Sequence, residues 1–414
     1  MKYARLRGVK DVFGAESAAW EKVVSSAAAV FKRYGYSLII TPVIEERALF
    51  CRGIGEASDI VMKEMYDFKD KKGRDIVLRP EGTASIVRAY IENSLPAKSD
   101  LWYIGPMFRY EKPQKGRNRE FFQVGAECFG DATAAKDAEI IKLASDVLSA
   151  AGAGKSELNI NMLNCSECGP EYIKALKKYL AANADNLCDT CKQKTERAPV
   201  RVLDCKSESC RETVRNAPKP VEHLCEKCAA RYAEVKKLLG AVSVKFTENP
   251  MLVRGLDYYT GLVFEFITDK LGPQQNTVLA GGRYDKLVAE LGGRETPATG
   301  FAMGIERLVE TASAEGVSYE ADGLKAFVVT DPAYIDRGFS LLCSLRDAGI
   351  SAGMGFEARS FKSQFREADS KKAQYVMILG ETEVKNGTVS MKNMATGAQE
   401  ELRIGDAIDK LRQV

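Results

Sequence analysis

Arginines set among apolar residues are the first candidates for chemistry. The segment FRYEKPQKGRNREFFQVGAE, residues 108–127, carries Arg109, Lys112, Lys115, Arg117 and Arg119 between two apolar runs. A guanidinium is a planar fork matched to phosphate or carboxylate oxygens, and a strand would aim Arg109 better than a loop. Glu111 is an acceptor suited to an exocyclic amine. Taken alone, the segment reads equally as a solvated charged loop. Arg254 lies in MLVRGLDYYTGLVFE, residues 251–265, where it needs a buried partner or an anionic ligand. Asp257 is close enough in sequence to be that partner, which leaves a structural ion pair open. If this segment is extended, Tyr258 and Tyr259 face opposite sides, so one reaches a pocket while the other packs. Arg307 falls in the first turns of a helix opened by the small residues of GFAMGIERL, residues 300–308. A cation there opposes the helix dipole unless an anion faces it.

Carboxylates supply the complementary half of a site. Glu81 follows Arg79-Pro80 and precedes Gly82-Thr83, and Gln123 and Glu127 share one strand face at even spacing. Two acids and an amide suit an ammonium and a polar side chain; surface acids at strand ends are the plainer alternative. AGGRYD, residues 280–285, offers glycines for close backbone approach, with Tyr284 at the edge. There is no Walker-type lysine loop, Rossmann fingerprint or Ser-His-Asp motif. The one histidine, His223, lies elsewhere, so the chemistry must come from positioning and charge stabilisation.

Cysteines form a separate island. Eight of the eleven lie between Cys165 and Cys228, six of them in the C-x-x-C pairs Cys165/Cys168, Cys188/Cys191 and Cys225/Cys228. The amino-terminal MKYARLRGVKDVFG has no apolar run, so an export signal and disulfides are not expected, and a cytoplasmic setting is. The spacing of Cys188, Cys191, Cys225 and Cys228 suits a tetrahedral structural zinc. Cys165, Cys168, Cys205 and Cys210 would make a second site or stay reduced; scattered thiols in a helical insertion are the bland alternative.

Pattern and composition place these residues on elements. The 414 residues are long enough for one large domain and one smaller one. With 60 basic against 57 acidic residues the net charge is only +3, which excludes a massively basic nucleic-acid coat but not local basic patches. No stretch is apolar enough to span a membrane. Helical spacing runs over 15–34 and 137–151, and strand-like runs over 37–41, 75–78, 101–110, 121–129, 158–162, 261–267 and 277–280. The polar, glycine-containing 311–322 reads as a linker. Beyond it, strands and helices alternate in a small α/β domain that includes a hairpin about Asn386-Gly387.

At this point the segments together resemble histidyl-tRNA synthetases, a family of class II aminoacyl-tRNA synthetases, over essentially the whole chain. YGYSLIITPVIE, residues 34–45, is similar to class motif 1, with Pro42 at the dimer-forming element. Residues 108–123 resemble motif 2, and 300–308 motif 3. LVRGLDYYTGLVFE and AGGRYD resemble the two histidine-specific signatures. The resemblance implies an α/β (α+β) chain in three parts: a class II catalytic domain over 1–322, with an antiparallel sheet flanked by helices; a helical cysteine-rich insertion over 165–241; and an anticodon-binding domain over 323–414. It implies a homodimer that activates L-histidine with ATP and magnesium, then loads it onto tRNA(His).

The resemblance also assigns roles. Arg109 would meet the α-phosphate and the histidine carboxylate, Arg254 the reacting α-phosphate, and Arg307 the γ-phosphate. Glu111 would lie near the adenine, and Arg117 joins the ATP contacts. Glu81, Thr83, Gln123 and Glu127 would hold the ammonium and ring side of histidine, with Tyr258, Tyr259 and Tyr284 around the imidazole. Gln114 and Arg119 are candidates for the acceptor end of the tRNA. In the tail, FKSQFREADSKKAQYVMILGETE matches the anticodon-binding element, and five basic residues between Arg359 and Lys372 offer a backbone-contact face. Phe122 departs from the histidine often found beside the Gln123 position, and the cysteine island departs from most bacterial relatives. The alternative is a non-catalytic paralogue acting as regulatory subunit of ATP phosphoribosyltransferase. Such proteins usually lack the tail and erode the arginines, both of which are present here.

Overall fold

The computed structural model describes residues 3–55, 58–114, 116–205, 207–272, 276–319, 323–357 and 359–413. Lys115 and the expected domain boundary at residue 322 lie outside them. The chain divides into two compact units, Met1–Tyr319 and Glu320–Val414.

The first unit is built on an eight-stranded sheet: β1 (Ser37–Leu38), β2 (Ser99–Phe108), β3 (Glu120–Phe129), β4 (Glu157–Met162), β5 (Thr247–Glu248), β6 (Leu262–Ile267), β7 (Thr277–Arg283) and β8 (Ala298–Gly304). Their spatial order is β1-β2-β3-β8-β7-β6-β4-β5. The six central strands pair antiparallel. The two edge strands pair parallel with their neighbours, so the sheet is mixed rather than wholly antiparallel. The reason is connectivity: each edge strand is separated from its partner by a long crossover, and only adjacent hairpins enforce antiparallel pairing. The strand expected over 37–41 is confined to Ser37–Leu38.

One face of the sheet is covered by the helices Ala15–Arg33, Ala134–Ala150 and Glu226–Ala241, whose apolar stripes pack on Val124, Phe264, Leu279 and Phe301. Asp137, fully buried under this layer, is held by two cations: Arg283 at the end of β7 at 2.6 Å and Arg231 of Glu226–Ala241 at 2.7 Å. Arg283 also pairs with Asp285 at 2.8 Å. This arginine of AGGRYD therefore ties the sheet to the helix Ala134–Ala150, and Asp137 ties both to the helix Glu226–Ala241 through Arg231. The other face stays open between the helix Thr83–Glu92 and the loops, and it holds the cavity described below.

Cysteines enclose the insertion. The helices Gly169–Ala182, Asp189–Arg197 and Glu208–Arg215 surround a core of Leu176, Leu180, Val202, Leu203 and Val214 that continues into Leu252 and Val253. The linker expected over 311–322 begins inside the helix Ile305–Ala314.

In the second unit, β9 (Ala326–Thr330), β10 (Ala352–Met354), β11 (Tyr375–Leu379), β12 (Thr388–Asn393) and β13 (Gln399–Arg403) form a five-stranded sheet in the order β10-β9-β11-β12-β13. The expected hairpin turn at Asn386-Gly387 is not there. Those residues end the helix Glu381–Asn386, with Gly387 in the left-handed region at φ 68°, where a β-carbon is disfavoured. Asn-Gly serves a hairpin turn and a helix end equally well, and the actual hairpin joins β12 to β13.

Removing one partner of a buried charge pair leaves the other uncompensated. Asp137→Ala should therefore lower unfolding stability by about 3 kcal/mol in denaturant titrations, whereas Asp75→Ala, breaking the exposed pair with Lys69, should leave the midpoint in place.

Candidate active site

A cavity of about 270 Å³ opens on the free face of the sheet, lined by residues from motifs far apart in sequence. Arg109, Arg117, Arg254 and Arg307 line it together with Glu81, Glu111 and Gln123. Thr83, Tyr258 and Tyr259 complete the sequence-derived set on its walls.

Each arginine is aimed by its element. Arg109 leaves the end of β2, where its backbone N–H donates to the Arg119 carbonyl and continues the hairpin. Its Nε donates to the Pro80 carbonyl at 2.9 Å, and the guanidinium lies 5.3 Å from the Phe121 ring centre. Arg307 is the third residue of the helix Ile305–Ala314 and donates to the Thr277 carbonyl at 2.8 Å. Burial and the neighbouring Arg117 and Arg109 hold Arg307 below the usual arginine range, so a bound anion would relieve it. Arg117 pairs with Glu111 at 3.0 Å.

Arg254 pairs with Glu265 of β6 at 3.1 Å, not with Asp257. Asp257 turns away to Arg201 of the insertion, at 2.6 Å. Residues 254–260 form a turn and not a strand, so alternation does not apply: Tyr258 and Tyr259 both line the cavity, ring centres 4.7 Å apart.

Acids occupy the floor. Glu81 caps the start of the helix Thr83–Glu92, accepting from the backbone N–H groups of Thr83 at 2.9 Å and Ala84 at 2.8 Å. Glu127 is 1% exposed and lies one layer behind the cavity wall, accepting from the Thr83 hydroxyl at 2.7 Å and from the Tyr284 hydroxyl. Tyr284, also 1% exposed, is in the same back layer and packs edge-on against Tyr258. Burial pushes Glu127 up to about 8 and raises Glu81 as well, against the pull of its backbone donors. Glycines make this possible. Gly304 and Gly300 of β8 face Gln123 and Glu127 across the ladder, and a β-carbon on Gly300 would fall 1.8 Å from Glu127 Oε2.

Two buried polar atoms of these residues, Gln123 Oε1 and Arg254 Nε, have no partner among the described residues. On the wall of an open cavity such atoms are free to bond a ligand. The sequence reading missed Glu306, which lines the cavity and accepts from the Phe122 N–H at 3.0 Å. Its signal was an acid beside Arg307 at a helix start. Burial raises it to about 7. Phe122 itself packs edge-on against Trp20, away from Gln123. In the loop, Arg119 lies 4.0 Å from the Tyr110 ring centre, and Gln114 bridges to Arg117.

The expected four-cysteine set is corrected by the geometry. Cys188 and Cys191 meet Cys205 and Cys210, while Cys225 and Cys228 meet Cys165 and Cys168, each set with its sulfurs within 4.8 Å of one another. Cys188, Cys191, Cys225 and Cys228 thus belong to two groups. C-x-x-C spacing brings two sulfurs to one point but carries nothing about which pair comes opposite.

Comparison with known proteins bears on the whole chain. A sequence model of the family described as "Histidyl-tRNA synthetase" matches residues 8–308, and one described as "Anticodon binding domain" matches 328–414. A histidine–tRNA ligase of Alkaliphilus oremlandii is 44% identical over 99% of this chain and 98% of its own. The crystal structure of apo S. aureus histidyl-tRNA synthetase is 32% identical with a TM-score of 0.81, covering 99% of this chain and 100% of that one. An ATP phosphoribosyltransferase regulatory subunit/histidyl-tRNA synthetase from Bacillus halodurans C has a TM-score of 0.66 over 92% of this chain and 98% of its own. At 21% identity that last likeness is one of fold alone. Identity of the former kind, sustained from end to end across both units, settles descent: the chain belongs to the histidyl-tRNA synthetase family.

Proposed function

We infer that this chain activates L-histidine with ATP and transfers the histidyl group to tRNA(His). The observation that carries this reading is the convergence of Arg109, Arg254 and Arg307, from three separated segments, on one cavity floored by acids. A regulatory paralogue has the fold but no need for three arginines around a cavity.

In the first step a carboxylate oxygen of histidine attacks the α-phosphorus of ATP, and the bond to pyrophosphate breaks. Both reactants are anions, so repulsion is the obstacle. Arg109 and Arg254 offset that charge at the reacting phosphorus, and Arg307 holds the far end of the triphosphate. Glu111 faces the adenine beside Arg117. Glu81, Thr83 and Gln123 take the ammonium, while Tyr258 and Tyr259, backed by Glu127 and Tyr284, enclose the ring. In the second step the terminal ribose hydroxyl of the tRNA attacks the adenylate carbonyl and AMP leaves. Magnesium bound with ATP would neutralise phosphate charge, and Glu306 on the cavity wall is the hard oxygen donor that fits it.

The second unit would read the tRNA anticodon. Arg359, Lys362, Arg366, Lys371 and Lys372 are all exposed on and around the helix Phe361–Ser370. Gln114 and Arg119 are suited to the acceptor end. A homodimer is supported by edge strand β1 and its neighbourhood, where Leu38, Ile40 and Ile44 are 49%, 75% and 52% exposed. The cysteines are unpaired as disulfides, in keeping with a cytoplasmic setting, and zinc is the ion their thiolates suit in a structural role. No described helix is long and apolar enough to cross a membrane.

Pyrophosphate exchange into ATP should depend on added histidine. Arg254→Ala should slow it roughly a hundredfold or more, leaving tRNA(His) affinity unchanged; equal losses in both would refute the role.

Protonation gives a second check. Glu127, raised to about 8 by burial, holds a proton at pH 7 when one of its two hydroxyl partners turns to accept it, and an ammonium arriving in the adjoining cavity favours the carboxylate. Histidine binding at pH 7 should therefore release protons, seen by calorimetry in buffers of different ionisation enthalpy. The release should fade as pH rises past 8 and be reduced in Glu127→Gln; an unchanged release in that variant would count against it.

A further inference from the structure

The two cysteine sets differ in what they hold together. Cys165 and Cys168 follow β4, and Cys225 and Cys228 open the helix Glu226–Ala241, so the first set closes the neck of the insertion. Cys188, Cys191, Cys205 and Cys210 lie within the insertion and enclose its distal lobe.

Sulfur separations decide what each set can bind. Cys165 Sγ lies 3.7 Å from Cys168 Sγ and 3.8 Å from Cys225 Sγ, and Cys188 Sγ lies 3.9 Å from Cys205 Sγ. A disulfide would require about 2.05 Å. A tetrahedral ion with zinc–sulfur bonds of about 2.3 Å places its sulfurs about 3.8 Å apart. Four sulfurs within 4.8 Å enclose one ion and leave no room for a multi-iron cluster. Backbone N–H groups already point at the sulfurs, Glu167 to Cys165 at 3.3 Å and Cys188 to Cys210 at 3.1 Å, the donors that stabilise bound thiolates.

The distal set is coupled to the cavity by the chain between its ligands. Cys191 lies on the helix Asp189–Arg197, and between it and Cys205 runs the short helix Pro199–Asp204. From these, Lys194 reaches Asp59 at 3.2 Å, beside cavity residue Ile60. Arg201 reaches Asp257, three residues after Arg254, and donates to the Ile54 carbonyl at 3.4 Å. Cys191, Cys210, Val202 and Leu203 share one core with Leu252 and Val253, the two residues before Arg254. Arg254 is therefore gripped on both sides by the lobe that this cysteine set closes.

We propose that Cys188, Cys191, Cys205 and Cys210 bind a zinc ion that positions Arg254, through Arg201 and the Leu252–Val253 contact, while Cys165, Cys168, Cys225 and Cys228 bind a second zinc at the neck. The positioning half rests on the amino-acid activation reading; the metal half does not. The distal ion touches no substrate, and its loss acts on the turnover step that Arg254 serves.

The test uses the full chain, purified reduced and without chelator. Metal analysis should give about two zinc per chain, one for each set, and cobalt(II) substitution should give tetrahedral thiolate bands. Cys210→Ser should lose the distal zinc and lower kcat of histidine-dependent exchange roughly ten- to a hundredfold, with a smaller change in the KM for ATP. Cys210→His, a conservative ligand, should recover zinc and kcat together. Arg201→Ala should keep both zinc ions and reproduce the kcat loss, which a merely stabilising metal would not predict. If Cys210→Ser fails to fold, chelation and re-addition of zinc to the wild-type chain read the same coupling. Zinc well below one per chain overturns the metal sites. Full zinc with unchanged kcat in Arg201→Ala overturns the positioning. Full zinc with no histidine-dependent exchange in the wild type overturns the activation reading instead.

Discussion

Like charges held side by side, with nothing mobile to neutralise them, are the constraint around which the catalytic unit is organised. Arg109, Arg117 and Arg307 share one cavity, and burial together with the neighbouring Arg117 and Arg109 makes Arg307 less willing to hold its proton. Such an arrangement persists only if every guanidinium is fixed by something rigid. The carbonyls of Pro80 and Thr277 and the carboxylates of Glu111 and Glu265 serve that purpose. The donors leave unfilled hydrogen-bonding capacity on the cavity side. A triphosphate and a carboxylate, which would repel one another in water, meet there in a field prepared before they arrive, and no reorganisation is required at the moment of reaction.

The acids follow the opposite logic. Glu81 and Glu127 are buried where desolvation resists their ionisation, and a cationic ammonium reverses the balance. The selectivity of the pocket therefore depends on the same mixed sheet that carries the arginines, with glycines on β8 clearing the volume the acids occupy.

Much of this was legible in residues and spacing. The even spacing of Gln123 and Glu127 put them on one strand face, and an arginine inside an apolar run at 254 announced a buried partner or ligand. What failed was partner choice and local conformation. Asp257 is nearer to Arg254 in sequence than Glu265, yet Glu265 is adjacent in space because β6 runs back past the turn. Tyr258 and Tyr259 would face opposite sides only in an extended segment, but Gly255 and Gly261 flank a turn that faces both inward. Asn386-Gly387 suits two kinds of ending, and only the helix before it decides which. For the cysteines, spacing located the pairs while the fold decided their opposites. Cys188 closes on Cys205 and Cys210 across the helices Asp189–Arg197 and Pro199–Asp204, and the ends of the insertion are brought together by β4 and the helix packed behind the sheet. Glu306 escaped notice because an acid at a helix start usually serves as nothing more than a favourable charge.

Arg109, Arg254 and Arg307, from three separate segments, share one cavity, and the mechanism requires Arg109 and Arg254 to meet the reacting phosphate beside the histidine carboxylate. A crystal structure of the chain with a non-reactive histidyl-adenylate analogue tests it most directly. The phosphate oxygens should lie within hydrogen-bond reach of Arg109 and Arg254, with the ammonium on Glu81 and Gln123 and the imidazole enclosed by Tyr258 and Tyr259. An analogue bound with its phosphate away from Arg254, and Arg254 still paired only with Glu265, would contradict it.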